Sequence, residues 1–144
     1  MNLAATYNAV GKNKEALEML QQAASIDAFN DHVFYSLGLL QYEMGLLPAA
    51  MENFQKAVNL GSVNPGVYYN YGLALQGQGQ RKQAEEILLR GIALHPQAAN
   101  INYGLAYFYM QQNLPERAMK YAEVLKAIEP ANPEYQELFR SLGL

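Results

Sequence analysis

A repeat period of about 34 residues constrains the fold of this 144-residue chain more than any local pattern does. Alanine recurs at this spacing, at Ala16, Ala50, Ala84 and Ala118. Three further rows keep the same phase: small residues at Ala4, Gly38, Gly72 and Ala106; Leu3, Leu37, Tyr71 and Leu105 directly before them; and Gly11, Gly45, Gly79 and Asn113. A fixed period of about 20 to 50 residues is typical of arrays in which one supersecondary unit stacks on the next.

Each repeat is predicted to contain two helices. Apolar residues recur at spacings of three and four, as in Leu37, Leu40 and Met44, and this is the period of an amphipathic helix. Pro48 and Pro115 lie where the second helix of a repeat would begin, and proline favours the first helical turn. We predict no strand, and helices over residues 1–10, 14–26, 32–44, 48–60, 65–77, 81–94, 99–111, 115–128 and 133–142.

The residue order within the repeats is also distinctive. A Leu-Gly or Leu-Ala pair is followed by an aromatic residue, then by alanine, Phe or Leu, a second alanine and a closing proline. The stretches that show it best are YSLGLLQYEMG with AMENFQKAVNL, and YNYGLALQGQG with AEEILLRGIALHP. This order resembles the tetratricopeptide repeat.

The resemblance implies an all-α fold: a right-handed alpha-alpha superhelix (solenoid) of about four 34-residue helix-turn-helix repeats plus a C-terminal capping helix. The single domain 1–144 would contain repeats at about 1–30 (truncated), 31–64, 65–98 and 99–132, and the cap at 133–142. The apolar residues of the cap share one face, and its other face carries Glu134, Glu137 and Arg140.

The first repeat lacks its opening turn, because Met1 falls where the next three repeats have a tyrosine. This favours the interpretation that the chain is cut from something longer. Leu3, Ala4 and Tyr7 would then form an apolar face that no earlier repeat covers. Since exposed stacking faces seek partners, we predict a homo-oligomer through this N-terminal face.

Composition and charge exclude several classes of function. The chain has no cysteine, which rules out disulfides, thiolate metal sites and a cysteine nucleophile. A formal net charge of −3 gives no electrostatic reason to expect a nucleic acid or an anionic membrane as partner. No apolar run reaches the roughly 18 residues of a membrane span. The compartment stays open between cytoplasm and periplasm.

No motif for catalysis or cofactor binding stands out. The sequence GQGQRK at 77–82 resembles a phosphate loop, but such loops follow a strand, whereas this one joins two predicted helices. His32 and His95 have no further ligand at metal spacing. Glu85 and Glu86 are adjacent on a helix, so their side chains diverge. We therefore predict no enzyme activity, no cofactor and no metal.

The most informative feature is a pair of stretches without charge. No Asp, Glu, Lys or Arg occurs over 65–80 or 99–113, which contain the predicted first helices of repeats three and four. In the resembled family the first helices line a concave groove. Four tyrosines fall on faces that should pack between helices: Tyr7, Tyr68, Tyr71 and Tyr109. The helical phase leaves for the groove Tyr35, Leu39, Tyr42, Tyr69, Asn70, Leu73, Gln76, Asn100, Tyr103, Tyr107, Met110 and Gln111. A competing interpretation is that these residues only stack between repeats.

We therefore predict a non-enzymatic scaffold that binds a peptide or protein segment in a mostly neutral, Tyr/Asn/Gln-rich concave groove. The alternative is a structural or docking segment of a larger multidomain chain, with no ligand of its own. A subfamily that grips the acidic tails of chaperones is disfavoured, because only Asn70 matches its carboxylate clamp. The lysine and arginine positions of that clamp are Met1, Gly66 or Asn100, and Gly104.

Overall fold

The structure, a computed structural model, describes the backbone of residues 3–144 and the side chains of residues 11–144. Over this part of the chain all regular structure is helical and no strand occurs. The helices are α1 Leu3–Ile26, α2 Asp31–Glu43, α3 Leu47–Asn59, α4 Pro65–Gly77, α5 Arg81–Leu94, α6 Ala99–Gln111, α7 Pro115–Ile128 and α8 Gln136–Ser141, the last preceded by a 3₁₀ turn, Pro133–Tyr135. They form two compact units, the first unit up to Ser62 and the second unit from Val63.

Asparagine side chains cap two of the first helices. The Oδ1 atom of Asn30 accepts a hydrogen bond from the backbone N–H of Val33 at 3.3 Å, at the start of α2. Asn64 accepts from the backbone N–H of Gly66 at 2.8 Å, and Pro65 is the first residue of α4. Each cap satisfies a backbone donor that has no partner within the helix.

The turn within each of three repeats ends in left-handed backbone. Gly45 and Gly79 both have a φ of 75°, and Asn113 has a φ of 58°. Glycine adopts this conformation without a steric penalty, and asparagine adopts it more readily than other residues with a side chain. The helix-turn-helix arrangement predicted from the period is confirmed for these repeats.

The first repeat differs from the prediction. In place of two helices over 1–10 and 14–26 with a turn near Gly11, the structure has one continuous helix, α1. Gly11 lies within this helix and lacks the positive φ of Gly45 and Gly79. Because a glycine within a helix costs only about 1 kcal/mol relative to alanine, Gly11 alone does not end α1.

Glycine on a first helix lets the second helix of its repeat approach closely. A Cβ atom added at Gly38 would lie 2.5 Å from Cδ1 of Phe54 and 3.2 Å from the carbonyl oxygen of Ala50. In the next repeat, a Cβ atom at Gly72 would lie 2.6 Å from Cγ of Leu88. In both repeats the nearest atoms belong to the large side chain four positions after the recurrent alanine, and Ala50 also approaches Gly38 through its carbonyl oxygen.

The capping helix packs with its apolar face inward, as predicted. Its buried side chains are Tyr135, Leu138, Phe139 and Leu142. The Nζ atom of Lys126 on α7 lies 5.6 Å from the centroid of the Phe139 ring. The regular α-helix covers only Gln136–Ser141, because the predicted first turn of the cap is a 3₁₀ turn.

Tyr109 is the centre of a polar cluster formed by α5, α6 and α7. Its hydroxyl donates a hydrogen bond of 2.7 Å to Oε1 of Glu85, and Nη1 of Arg117 lies 3.5 Å from the same oxygen. Burial is the largest cause that raises the pKa of Tyr109, and the hydrogen bond to Glu85 adds to it. Glu85 is therefore a structural partner of a protonated tyrosine.

The close helix contacts predict opposite effects for two glycine-to-alanine substitutions in the second unit. A Cβ atom at Gly91 would lie 2.5 Å from Cβ of Tyr68, so Gly91→Ala should lower the free energy of unfolding by about 1–3 kcal/mol. Gly77 is the matched control, since no atom lies within 4 Å of its added Cβ. Gly77→Ala should leave stability unchanged or raise it by up to about 1 kcal/mol. Urea denaturation followed by circular dichroism measures both, and equal effects would contradict the packing described here.

Candidate functional site

Nine of the predicted groove residues lie on α4 and α6, which pack side by side in the second unit. We call this surface the α4–α6 face, and it consists of Tyr69, Asn70, Leu73, Gln76, Asn100, Tyr103, Tyr107, Met110 and Gln111. No residue of the face carries a formal charge. The structure thus brings these nine predicted residues onto two neighbouring helices.

Two direct contacts join the helices across the face. A Cβ atom at Gly104 on α6 would lie 3.3 Å from Cδ2 of Tyr69, so the Tyr69 ring packs on the bare backbone of α6. Near the ends of the two helices, Nε2 of Gln76 donates a hydrogen bond of 2.9 Å to Oε1 of Gln111. Both glutamines also line a cavity of about 190 Å³, together with Arg81.

The asparagines of the face are engaged with their own helices. Nδ2 of Asn70 donates to the carbonyl oxygen of Gly66 at 2.9 Å. Oδ1 of Asn100 accepts from the backbone N–H of Ile101 at 2.9 Å. Local bonds of this kind fix the orientation in which each amide group is held against its helix.

Three tyrosine rings cluster at the end of the face nearest the cap. The ring centroids of Tyr103 and Tyr107 are 6.1 Å apart with an interplanar angle of 22°, and those of Tyr103 and Tyr135 are 5.1 Å apart. Tyr107 is 42% exposed, whereas Tyr135 is buried. Tyr135 supports Tyr103 from the cap, so Tyr103 and Tyr107 are the rings available for contact.

Sequence reasoning missed the acidic side chains beside this cluster. Burial is the largest cause that raises the pKa of Tyr103, and Tyr107, Glu134 and Glu137 raise it further. The signal was present in the period, because Glu134 stands one full repeat after Asn100 and Glu137 one full repeat after Tyr103. When the cap is considered without the period, Glu134 and Glu137 are simply residues of its polar side.

The remaining predicted groove residues, Tyr35, Leu39 and Tyr42, belong to α2 in the first unit. Tyr42 is 42% exposed and the other two are half-buried. The ring of Tyr35 lies 6.2 Å from that of Phe54, which is in the core. Tyr35 thus packs partly within its own unit.

The tyrosines assigned to the core are buried wherever the structure describes them. Tyr68, Tyr71 and Tyr109 are all less than a tenth exposed. The fourth, Tyr7, lies outside the described side chains, as do Leu3 and Ala4. Burial raises the pKa of Tyr71, consistent with a ring that packs between helices.

The weak chemical motifs of the sequence form no site in the described residues. Residues 77–82 are the turn between α4 and α5, where Gly79 provides the left-handed backbone. Nε2 of His95 forms a short hydrogen bond with the carbonyl oxygen of Val63, and His32 is exposed. Over the part of the chain that the structure describes, no group of three or more potential ligands could hold a metal ion. In the same part, no helix has the length and apolar content that a membrane crossing requires.

The comparisons with known proteins agree on one family. Two family models described as Tetratricopeptide repeat match the chain, one over residues 1–26 and one over 78–142. No curated protein sequence matches it significantly. The chain belongs to the tetratricopeptide repeat family.

Solved structures show the same fold. The crystal structure of MamA is 24% identical, covers 99% of this chain and 82% of its own, and has a TM-score of 0.81. YrrB, described as a TPR protein with an unusual peptide-binding site, is 19% identical over 97% of this chain and 71% of its own, with a TM-score of 0.75. The APC/C hetero-tetramer Cut9-Hcn1 is 21% identical over 97% of this chain and 28% of its own, with a TM-score of 0.78.

These findings define the class of protein. The predicted all-α fold with tetratricopeptide-type helix pairs is confirmed. Proteins of this family are scaffolds that bind protein or peptide partners and are generally non-enzymatic. The chain is therefore a protein–protein interaction scaffold by class.

Proposed function

We propose that the chain binds a peptide or protein segment on the α4–α6 face, a mostly neutral groove surface. Tyr35, Leu39 and Tyr42 on α2 remain the groove residues predicted for the first unit. The observation that carries this proposal is a pair of neighbouring helices without formal charge that nevertheless present partly exposed tyrosines. Tyrosine offers rigid apolar area with a polar tip, and this makes it a frequent anchor in protein interfaces.

The distribution of charge within the second unit supports this choice of face. The second helices α5 and α7 carry exposed charged residues such as Lys82, Glu86, Arg90 and Glu123. Those residues keep the other side of the helix pairs hydrated, whereas the α4–α6 face has amides and tyrosine hydroxyls as its polar groups. An uncharged surface in an otherwise charged unit favours contact with a partner over contact with water.

A protein or peptide fits this surface better than a nucleic acid or a membrane. Nucleic acids and anionic membranes attract basic patches, whereas this chain has a net charge of −3 and its face has no basic residue. The peptide-binding site named for YrrB supports the same choice, since YrrB shares the fold.

Peptides that bind this chain should depend on Tyr107. We expect peptides selected from a random phage-displayed library to lose affinity by about 30-fold for Tyr107→Ala, which corresponds to about 2 kcal/mol for an interface anchor. Arg90→Ala on α5 is the control and should change affinity by less than about twofold. Peptides without charged anchors should bind almost independently of salt, because apolar burial is not screened. Fluorescence polarisation at low and high salt measures these affinities, and thermal unfolding of each variant confirms that it is folded.

The result that would overturn the proposal is a set of selected peptides that lose affinity for Arg90→Ala and not for Tyr107→Ala. Such peptides would bind the charged second helices.

A second candidate function, self-association or docking within a larger chain, is favoured by exposed apolar residues of the first unit. Met19 and Ile26 on α1 are 71% and 85% exposed, and Phe29 in the following turn is 83% exposed. A spacing of seven places Met19 and Ile26 on one side of α1, and Phe29 follows directly beyond the end of that helix. Large exposed apolar groups of this kind mark contact surfaces.

Self-association through this surface should respond to charge. We expect the native chain to show a concentration-dependent mass by light scattering across a dilution series, and Ile26→Lys with Phe29→Lys to remain monomeric throughout. Gln21→Lys is the control, because it adds charge at an exposed residue on another side of α1. A monomer mass for the native chain at high concentration would exclude self-association and leave docking to another domain.

A further inference from the structure

Several aromatic rings in the structure have a lysine or arginine side chain over them. Four such contacts occur among the described residues, each with the cation 5.5 to 5.7 Å from the ring centroid. Three of the four cations lie on α7 and the fourth lies on α3. The pairs are Lys56 with Phe34, Arg117 with Tyr109, Lys120 with Tyr121, and Lys126 with Phe139.

The rings of Tyr103, Tyr107 and Tyr135 are different. Among the residues that the structure describes, no lysine or arginine lies over any of them. The cations closest in sequence to Tyr135 have other contacts, since Lys126 lies over Phe139 and Nε of Arg140 donates to the carbonyl oxygen of Gln136. Arg117, the cation closest in sequence to Tyr107, lies over Tyr109. The face of an aromatic ring is the negative end of its quadrupole and attracts a cation.

Two exposed carboxylates, Glu134 and Glu137, flank Tyr135 in the chain. The centroid of the Tyr135 ring lies 5.1 Å from that of Tyr103. Glu134 and Glu137 stand at the repeat positions that Asn100 and Tyr103 hold in the preceding repeat. At these positions the cap therefore has carboxylates in place of the amide and the phenol. Both carboxylates also contribute to the raised pKa of Tyr103, as expected of negative charges close to its hydroxyl.

We propose that Tyr103 and Tyr107, together with Glu134 and Glu137, bind an arginine or lysine side chain of the partner segment. This inference rests on the proposed function of the α4–α6 face and names the chemistry at one end of it. The rings supply the apolar and quadrupolar contact and the carboxylates supply the opposite charge. Arginine suits the site best, because its planar guanidinium stacks on a ring and pairs with a carboxylate at the same time.

The alternatives fit the same surroundings less well. An acidic anchor would face two carboxylates, and like charges at short range repel. The cap carries one cation, Arg140, and its Nε atom donates to the carbonyl oxygen of Gln136. A neutral aromatic anchor would contact the rings but gain nothing from Glu134 and Glu137. A cationic anchor uses all four residues.

The test compares two small probes that have nearly the same shape and differ in charge. N-acetyl-argininamide is titrated into the chain with ¹³C-labelled tyrosine, and N-acetyl-citrullinamide is its neutral counterpart. We expect saturable shifts of the Tyr103 and Tyr107 ring resonances with the arginine probe, and at least about fivefold weaker binding of the citrulline probe. Ring resonances of the buried Tyr68 and Tyr71 should not respond.

Paired carboxylate variants identify the source of the selectivity. Glu134→Gln with Glu137→Gln should lose most of the preference for the arginine probe over the citrulline probe, because only the attraction of the rings for the cation remains. Glu116→Gln with Glu123→Gln, on exposed positions of α7, removes the same amount of charge and should keep the selectivity. Thermal unfolding of both double variants checks that each is folded.

Three results would overturn the inference: no shift at Tyr103 and Tyr107, equal response to the two probes, or full selectivity in the Glu134→Gln, Glu137→Gln variant. The peptide experiment with Tyr107→Ala shows whether only the cationic anchor is wrong or whether the proposed function of the α4–α6 face is wrong as well. If selected peptides still depend on Tyr107, the face binds its partner through neutral contacts alone. If they do not, both proposals fail.

Discussion

The contact between bare glycine backbone and one large side chain holds two of the described helix pairs together. Phe54 packs on Gly38 in the first unit and Leu88 packs on Gly72 in the second, and the large residue holds the same repeat position in both cases. No Cβ atom fits at either glycine without a shift of its neighbour. Because protein interiors are packed as densely as organic crystals, this contact fixes which side of each first helix faces its partner helix.

The candidate site follows from that orientation. Once the side of α4 that contains Gly72 is committed to packing against Leu88 of α5, Tyr69, one turn before Gly72, meets α6 at Gly104. Tyr69 uses the bare backbone at Gly104 to lie across the face, so a glycine again sets the position of an aromatic ring. The cap then packs on the last repeat and brings the ring of Tyr135 to 5.1 Å from that of Tyr103, at the end of the same surface.

The sequence predicts the fold of the second unit almost completely. The predicted helices over 65–77, 81–94, 99–111 and 115–128 coincide with α4 to α7, because the helix starts and turns there carry strong local signals: Pro65, Pro115 and the left-handed Gly79 and Asn113. The error at α1 arises because a glycine permits a turn without requiring one. Glu134 and Glu137 give no such local signal, because within the cap they are ordinary residues of a polar side, and only the 34-residue period relates them to Asn100 and Tyr103.

The measurement that tests this account most directly is a map of the tyrosine ring resonances, by ¹H–¹³C NMR, when a selected peptide is added. The account predicts that Tyr69, Tyr103 and Tyr107 shift, while Tyr68, Tyr71, Tyr109 and Tyr121, which are buried between helices, do not. These two sets are distinct because the same helices present one side to the core and the other to the partner. Shifts confined to Tyr121 on α7, or spread equally over buried and exposed rings, would contradict the claim that the first helices bind the partner.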